Sequence, residues 1–272
     1  MKKNWYSFLL LFVLSCGNVA DFTISYPKNS AFDLPTKIGY DAKMFTPTEI
    51  GMLKTNSGQE ALDNVLNGNS EMAIIPLSTL WENNEIRDNL KFFGYFQREG
   101  VAIADRDSIS SPVGVVENSF EYYLINYLIE NDSLDYKIKT FENYSTLSKA
   151  YDNKEINGVC LKAPMLFEID YFADIIWLKK YFGRYPNSAL VARKDIYEKN
   201  KNKFDSVFEK LKEASSLYDQ NVKLAMESAY LLAGIKKFYT NDFINELRYV
   251  IANDETGRKF EDKLFFNRIK KK

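Results

Sequence analysis

The sequence predicts an α/β protein of two doubly wound lobes joined by a two-strand hinge, with C-terminal helices packing on the first lobe. Three observations predict it. Two strand–helix–strand units recur along the 272-residue chain, two short strands of small apolar residues flank the second unit, and the last third has helical spacing.

The first unit opens with the strand-like run Phe22-Thr23-Ile24-Ser25-Tyr26, stopped by Pro27. A second short run spans 51–54. Ser57 and Glu60 then stand at capping-box spacing, and Ala61, Leu62, Val65 and Leu66 give the helix an apolar stripe. Asn67-Gly68-Asn69 ends that helix, and 72–75 reads as a buried strand. Parallel strands joined by a right-handed crossover follow from this order.

The later unit runs from Lys139-Thr140-Phe141 through a turn at Glu142-Asn143-Tyr144 and a helix over about 145–154 to the strand Val159-Cys160-Leu161. At a constant offset of 86 residues Asn67 meets Asn153 and Ile75 meets Leu161, so one plan is used twice. Between the units, Ser111-Pro112 breaks the chain and Val113-Gly114-Val115-Val116 restarts it. Asn118 or Ser119 caps the next helix, with Glu121 in its first turn and Tyr122, Ile125 and Ile129 expected on the buried stripe.

The runs 100–106 and 188–193 resemble each other and are expected to be the hinge crossings. Lobe I is therefore placed at 21–106 plus 187–272, and lobe II at 107–186. Phe204, Val207, Phe208, Leu211, Ala214 and Tyr218 keep helical spacing, and further helices are expected over 222–233 and 240–251.

Composition narrows function by exclusion. With 36 basic and 37 acidic residues the formal charge is −1, which carries no signature of nucleic-acid binding. Histidine is absent, which removes His-based acid/base catalysis, His-containing triads and His-ligated zinc. No phosphate loop, catalytic carboxylate pair or metal cluster stands out, so no catalytic residue, metal or cofactor is expected.

The first residues, Met1-Lys2-Lys3, precede a short apolar run and Ser15-Cys16-Gly17, the pattern of a secretory signal too short for a permanent membrane helix. Val13-Leu14-Ser15-Cys16 resembles the bacterial lipobox. Residues 1–16 are thus expected to be a lipoprotein signal with Cys16 the lipidated residue, against an ordinary signal that happens to hold a cysteine. A lipid-anchored position outside the cytoplasmic membrane follows. The other cysteine, Cys160, then has no intramolecular partner.

The stretch 55–74, with Ser57-Gly58-Gln59-Glu60 and Asn67-Gly68-Asn69-Ser70-Glu71-Met72-Ala73-Ile74, is similar to type 2 solute-binding proteins. So are 112–128 and Glu155-Ile156-Asn157-Gly158-Val159-Cys160-Leu161-Lys162-Ala163-Pro164. Across about 21–235 the chain most resembles the nitrate, sulfonate and thiamine-precursor group that serves ABC importers. It departs over 30–48, where Pro35, Gly39 and Pro47 are expected to interrupt the first-lobe helix, and at Asn157-Gly158, where an Asp-Ala pair is common.

The resemblance implies a monomer that takes a small-molecule ligand between its lobes and presents it to ABC permease subunits. In such a fold ligands sit outside the carboxyl ends of the strands, at helix N-termini. That geometry nominates Tyr26, Asn29, Ser30, Ser57, Pro76 and Ser78 on lobe I, and Asn118, Ser119 and Lys162 on lobe II. Two other readings stay open: an enzyme on the same fold, which the missing histidine opposes, and a sensing or scaffolding lipoprotein whose degraded cleft binds a protein partner.

Overall fold

The computed structural model describes residues 20–28, 30–106, 112–131, 133–163, 165–168, 173–221, 224, 227, 247–248 and 255–266. The signal segment with Cys16, the candidate Asn29 and the helices expected over 222–233 and 240–251 lie wholly or mostly outside them.

Lobe I is a five-stranded sheet in the order β2-β1-β3-β11-β4. β1 (Thr23–Pro27), β2 (Gly51–Thr55) and β3 (Met72–Pro76) are parallel; β11 (Ser188–Arg193) runs antiparallel to β3, and β4 (Leu90–Tyr95) antiparallel to β11. Met72, Ala73, Ile74 and Ile75 are all buried, as a strand covered on both faces requires. α2 (Gly58–Leu66) covers one face with Ala61, Leu62 and Val65. On the other, α8 (Lys201–Gln220), which follows α6 (Lys179–Phe182) and α7 (Lys194–Lys199) along the chain, buries Phe204, Val207, Leu211, Ala214 and Tyr218 and packs on α1 (Leu34–Asp41). The expected interruption at Pro35 does not occur. Pro35 sits in the first turn of α1, where its missing N–H costs nothing and its fixed φ favours helix.

Lobe II repeats the plan in the order β10-β6-β9-β7-β8. β7 (Val113–Val116), β8 (Ile138–Phe141) and β9 (Gly158–Lys162) are parallel, β6 (Val101–Asp105) runs antiparallel to β9, and β10 (Asp174–Trp177) antiparallel to β6. α4 (Phe120–Glu130) and α5 (Tyr144–Asp152) cover its faces. On α4 the buried stripe is Phe120, Glu121, Leu124, Ile125 and Leu128, rotated from the expected one, with Tyr122 and Ile129 only partly buried. An almost wholly apolar helix offers no contrast by which periodicity could fix its inner face.

The two runs expected to cross between lobes are instead central strands: β6 lies inside the second sheet and β11 inside the first. The crossings are the pieces just outside them. Phe96 N donates to Ser188 O at 3.1 Å, Asn187 N to Gln97 O at 2.9 Å, and Glu99 N to Tyr185 O at 2.9 Å. The segments 96–100 and 185–187 thus run side by side as a hydrogen-bonded pair. β5 (Arg98–Glu99) also pairs with β12 (Leu247–Arg248), so a third segment braces the crossing.

The short α9 (Glu255–Glu261) reaches both lobes. Its Phe260 ring stacks on Tyr185 at 5.4 Å and lies 6.4 Å from Phe120 of lobe II, while Glu261 bonds to lobe I.

Candidate functional site

In both lobes the three parallel strands end at the same place, the cleft between the sheets. Pro27 and Pro76 close β1 and β3; Val116 and Lys162 close β7 and β9; all four line a cavity of about 270 Å³. The starts of α2, α4 and α5 face it, as does that of α3 (Leu77–Glu82).

Sequence chemistry sets these helix starts. Ser57 Oγ accepts Glu60 N at 3.1 Å, while Glu60 reaches past the cap to accept Asn56 N at 2.7 Å, one residue before the partner of an ideal capping box. Ser119 Oγ accepts Tyr122 N at 3.1 Å. Asn118 before it takes φ +57°, a left-handed conformation that asparagine tolerates. Gly58 lies so close to α3 that a Cβ there would meet Thr79 Oγ1 at 2.3 Å and Pro76 Cδ at 2.7 Å.

Of the nominated residues, Ser57, Pro76, Ser78, Asn118, Ser119 and Lys162 come together on the cavity wall. Tyr26 and Ser30 do not. Tyr26 is 2% exposed with its hydroxyl donating to Asp33 Oδ2 at 2.8 Å, and Ser30 is enclosed with its hydroxyl on Pro27 O. Tyr26, near the end of β1, turns to Asp33 just before α1, and Ser30, in the turn after β1, bonds back to the last carbonyl of that strand.

Sequence reasoning passed over Glu82, Glu121 and Tyr144, which also line the cavity. For Glu121 and Tyr144 the signal was position, since first-turn residues of cleft-facing helices point at the ligand space as strand-end loops do; Glu82, the last residue of α3, carried no such signal. Tyr144 Oη donates to Glu121 Oε1 at 3.0 Å. Burial first, and the Glu121 charge second, push the Tyr144 hydroxyl well above its ordinary pKa. The same two causes raise the Cys160 thiol, fully buried mid-strand, and keep it protonated.

The lobes touch on both sides of the cavity. Tyr123 Oη of α4 donates to Glu82 Oε1 of α3 at 3.2 Å, and Trp81 packs on Phe120 and Tyr123 at 5.7 and 5.4 Å. Across it, Lys162 Nζ lies 5.9 Å from the ring centres of Phe32 and Tyr144. Among the described residues no group of three or more metal-ligating side chains is placed to hold an ion.

This arrangement of two like sheets, a paired crossing and an interlobe cleft is found in solved proteins. The periplasmic aliphatic sulphonate binding protein SsuA from Escherichia coli superposes with a TM-score of 0.68 over 91% of this chain and 87% of its own, at 13% identity. The ligand binding component of an ABC-type import system from Staphylococcus aureus gives 0.73 over 91% of each chain at 13% identity. The fold is that of the periplasmic binding proteins. A nitrate-binding protein of this fold, NrtA from Synechocystis PCC 6803, gives 0.61 at 12% identity over 82% of this chain and 67% of its own. No family model matches the sequence, and no curated protein matches it. Within the binding-protein fold the cavity occupies the cleft between the two lobes.

Proposed function

We propose that this chain is a solute-binding protein that captures a small molecule between its lobes and delivers it to an ABC importer. The observation that carries the reading is the cavity itself: strand ends and helix starts of both lobes converge on one space of about 270 Å³. That volume suits a small metabolite. A ligand touching Ser57 and Ser78 on one side and Ser119 and Lys162 on the other holds both lobes at once. Binding then shifts the population toward the closed shape, which the permease reads. The structural neighbours, by their names a sulphonate binding protein and the ligand binding component of an ABC-type import system, support this role over catalysis.

Attachment to the outer face of a membrane is proposed through lipid on Cys16, within a segment whose pattern resembles a lipobox. A Cys16→Ser chain is expected to leave the membrane fraction and to lose the lipid mass; retention with unchanged mass would remove the anchor from the reading.

Native mass spectrometry of the protein purified without refolding, then stripped of small molecules, tests capture. A co-purifying compound at about 100 times its Kd stabilises by about 2.7 kcal/mol, so stripping should visibly lower the melting temperature. An empty protein that no metabolite panel stabilises would shift the assignment to a lipoprotein that binds a protein partner.

A further inference from the structure

Glu121 belongs to the first turn of α4 and to the cavity wall. It is 1% exposed. Oε1 accepts the Tyr144 hydroxyl at 3.0 Å; Oε2 is enclosed and has no hydrogen-bond partner among the described residues. A buried carboxylate oxygen left without a donor costs more than a neutral one, and native interiors complete such groups.

The neighbours do not complete it. Tyr144 has already given its single hydroxyl hydrogen, and the Cys160 thiol is only a weak donor. Lys162 Nζ is held over the Phe32 and Tyr144 rings and makes no ion pair with Glu121. The charged groups on the wall are the carboxylates of Glu82, Glu117 and Glu121 against the amines of Lys28 and Lys162. Nitrate or a simple sulfonate has no hydrogen to offer Oε2 and would meet this excess of negative charge.

We infer that the cleft takes a ligand bearing a cationic nitrogen, an amine, amidine or protonated heterocycle, which donates to Oε2 of Glu121. This rests on the cleft being the ligand site. The nitrogen completes the carboxylate, and Tyr144 holds Glu121 in place from the other oxygen. Selection is then against ligands that are purely anionic.

The test uses the full-length protein in detergent, stripped of small molecules, with calorimetry and melting temperature as readouts. Butylammonium, benzamidinium and γ-aminobutyrate are the cationic-nitrogen probes; nitrate and methanesulfonate are the anions. Glu121→Gln keeps an acceptor for Tyr144 and turns the other position into a donor. Asn56→Trp places a large side chain on an exposed part of the cavity wall.

At least one cationic probe is expected to bind, about 10- to 100-fold more weakly to Glu121→Gln, and not to Asn56→Trp. Equal binding to Glu121→Gln, or no cationic probe binding at all, overturns the inference. Anion binding that Asn56→Trp abolishes overturns it too while leaving the cleft reading intact. Binding that ignores Asn56→Trp removes the ligand from the cleft and defeats both. Should Glu121→Gln fail to fold, Tyr144→Phe decides: it frees Oε1 and is expected to raise cation affinity, whereas unchanged affinity assigns Glu121 a structural role.

Discussion

Trp81 and Glu261 stand 180 residues apart, and the Trp81 indole donates to the Glu261 carboxylate at 3.1 Å. Tyr95 Oη donates to the same carboxylate at 2.6 Å, and Arg87 Nη2 meets it at 3.0 Å. The carboxylate is 7% exposed, so three lobe I donors share one enclosed acceptor from α9. Glu261→Ala removes the carboxylate to which the indole and the Tyr95 hydroxyl donate, an expected loss of about 2–4 kcal/mol in urea unfolding. Glu261→Gln, which still accepts, should lose less than half of that. An alanine variant as stable as the parent would mean that α9 does not hold lobe I.

Alkaline pH should unfold the protein through its buried tyrosines. Burial first, then the Asp33 charge, pushes Tyr40 up to about 12, and the same causes raise Tyr26 further. A folded pKa above the unfolded value of about 10 means the unfolded chain releases its proton first. The stability contribution is therefore full below pH 10 and lost as pH climbs toward 12. Ultraviolet titration should show Tyr40 ionising late, and Asp33→Asn should bring it earlier; a normal titration near 10 in both proteins would contradict the packing around Asp33.

How far the sequence carried depends on whether the deciding interaction is local. The expected pairing of Asn67 with Asn153 and Ile75 with Leu161 coincides with the observed register of α2 with α5 and β3 with β9, because caps, turns and crossover helices are short-range chemistry. Sheet membership is not. β6 and β11 read alike as small apolar runs, and only their partners, β9 and β3, assign them to opposite lobes. Tyr26 similarly looked free for a ligand because its partner Asp33 lies beyond the next turn. Glu121 read as a favourable first-turn charge, and its burial against Tyr144 was set by the 23-residue excursion that brings the first turn of α5 to the first turn of α4 at the cleft.

Two glycines should separate cleft packing from backbone strain. A methyl at Gly58 would overlap Thr79 Oγ1 and Pro76 Cδ on the cavity wall, so Gly58→Ala is expected to cost about 1–3 kcal/mol and to weaken ligand capture. Gly68 follows the C-terminus of α2 with φ +77°, and nothing lies within 4 Å of an added Cβ. Gly68→Ala should therefore cost about 1 kcal/mol through strain alone, with capture unchanged. Thermal melts with and without the co-purified ligand measure both effects. Equal loss of capture in the two variants would show that α2 transmits strain to the cleft.

Ser57 and Ser119 each serve two roles that a pair of substitutions can divide. Each Oγ already accepts a backbone N–H, from Glu60 and Tyr122, which leaves its hydroxyl hydrogen to donate into the cavity. Ser119→Ala removes both functions and should cost about 1 kcal/mol in stability and about 5- to 10-fold in ligand affinity. Ser119→Asp restores the cap acceptor and the charge favoured at a helix start, but not the donor. Its stability should return to that of the parent while affinity stays low. The same pair at Ser57 is expected to repeat the pattern on lobe I, where the wall residue is exposed. If aspartate restores affinity together with stability, the serines act only as caps, and ligand selection passes to Glu121, Ser78 and Lys162.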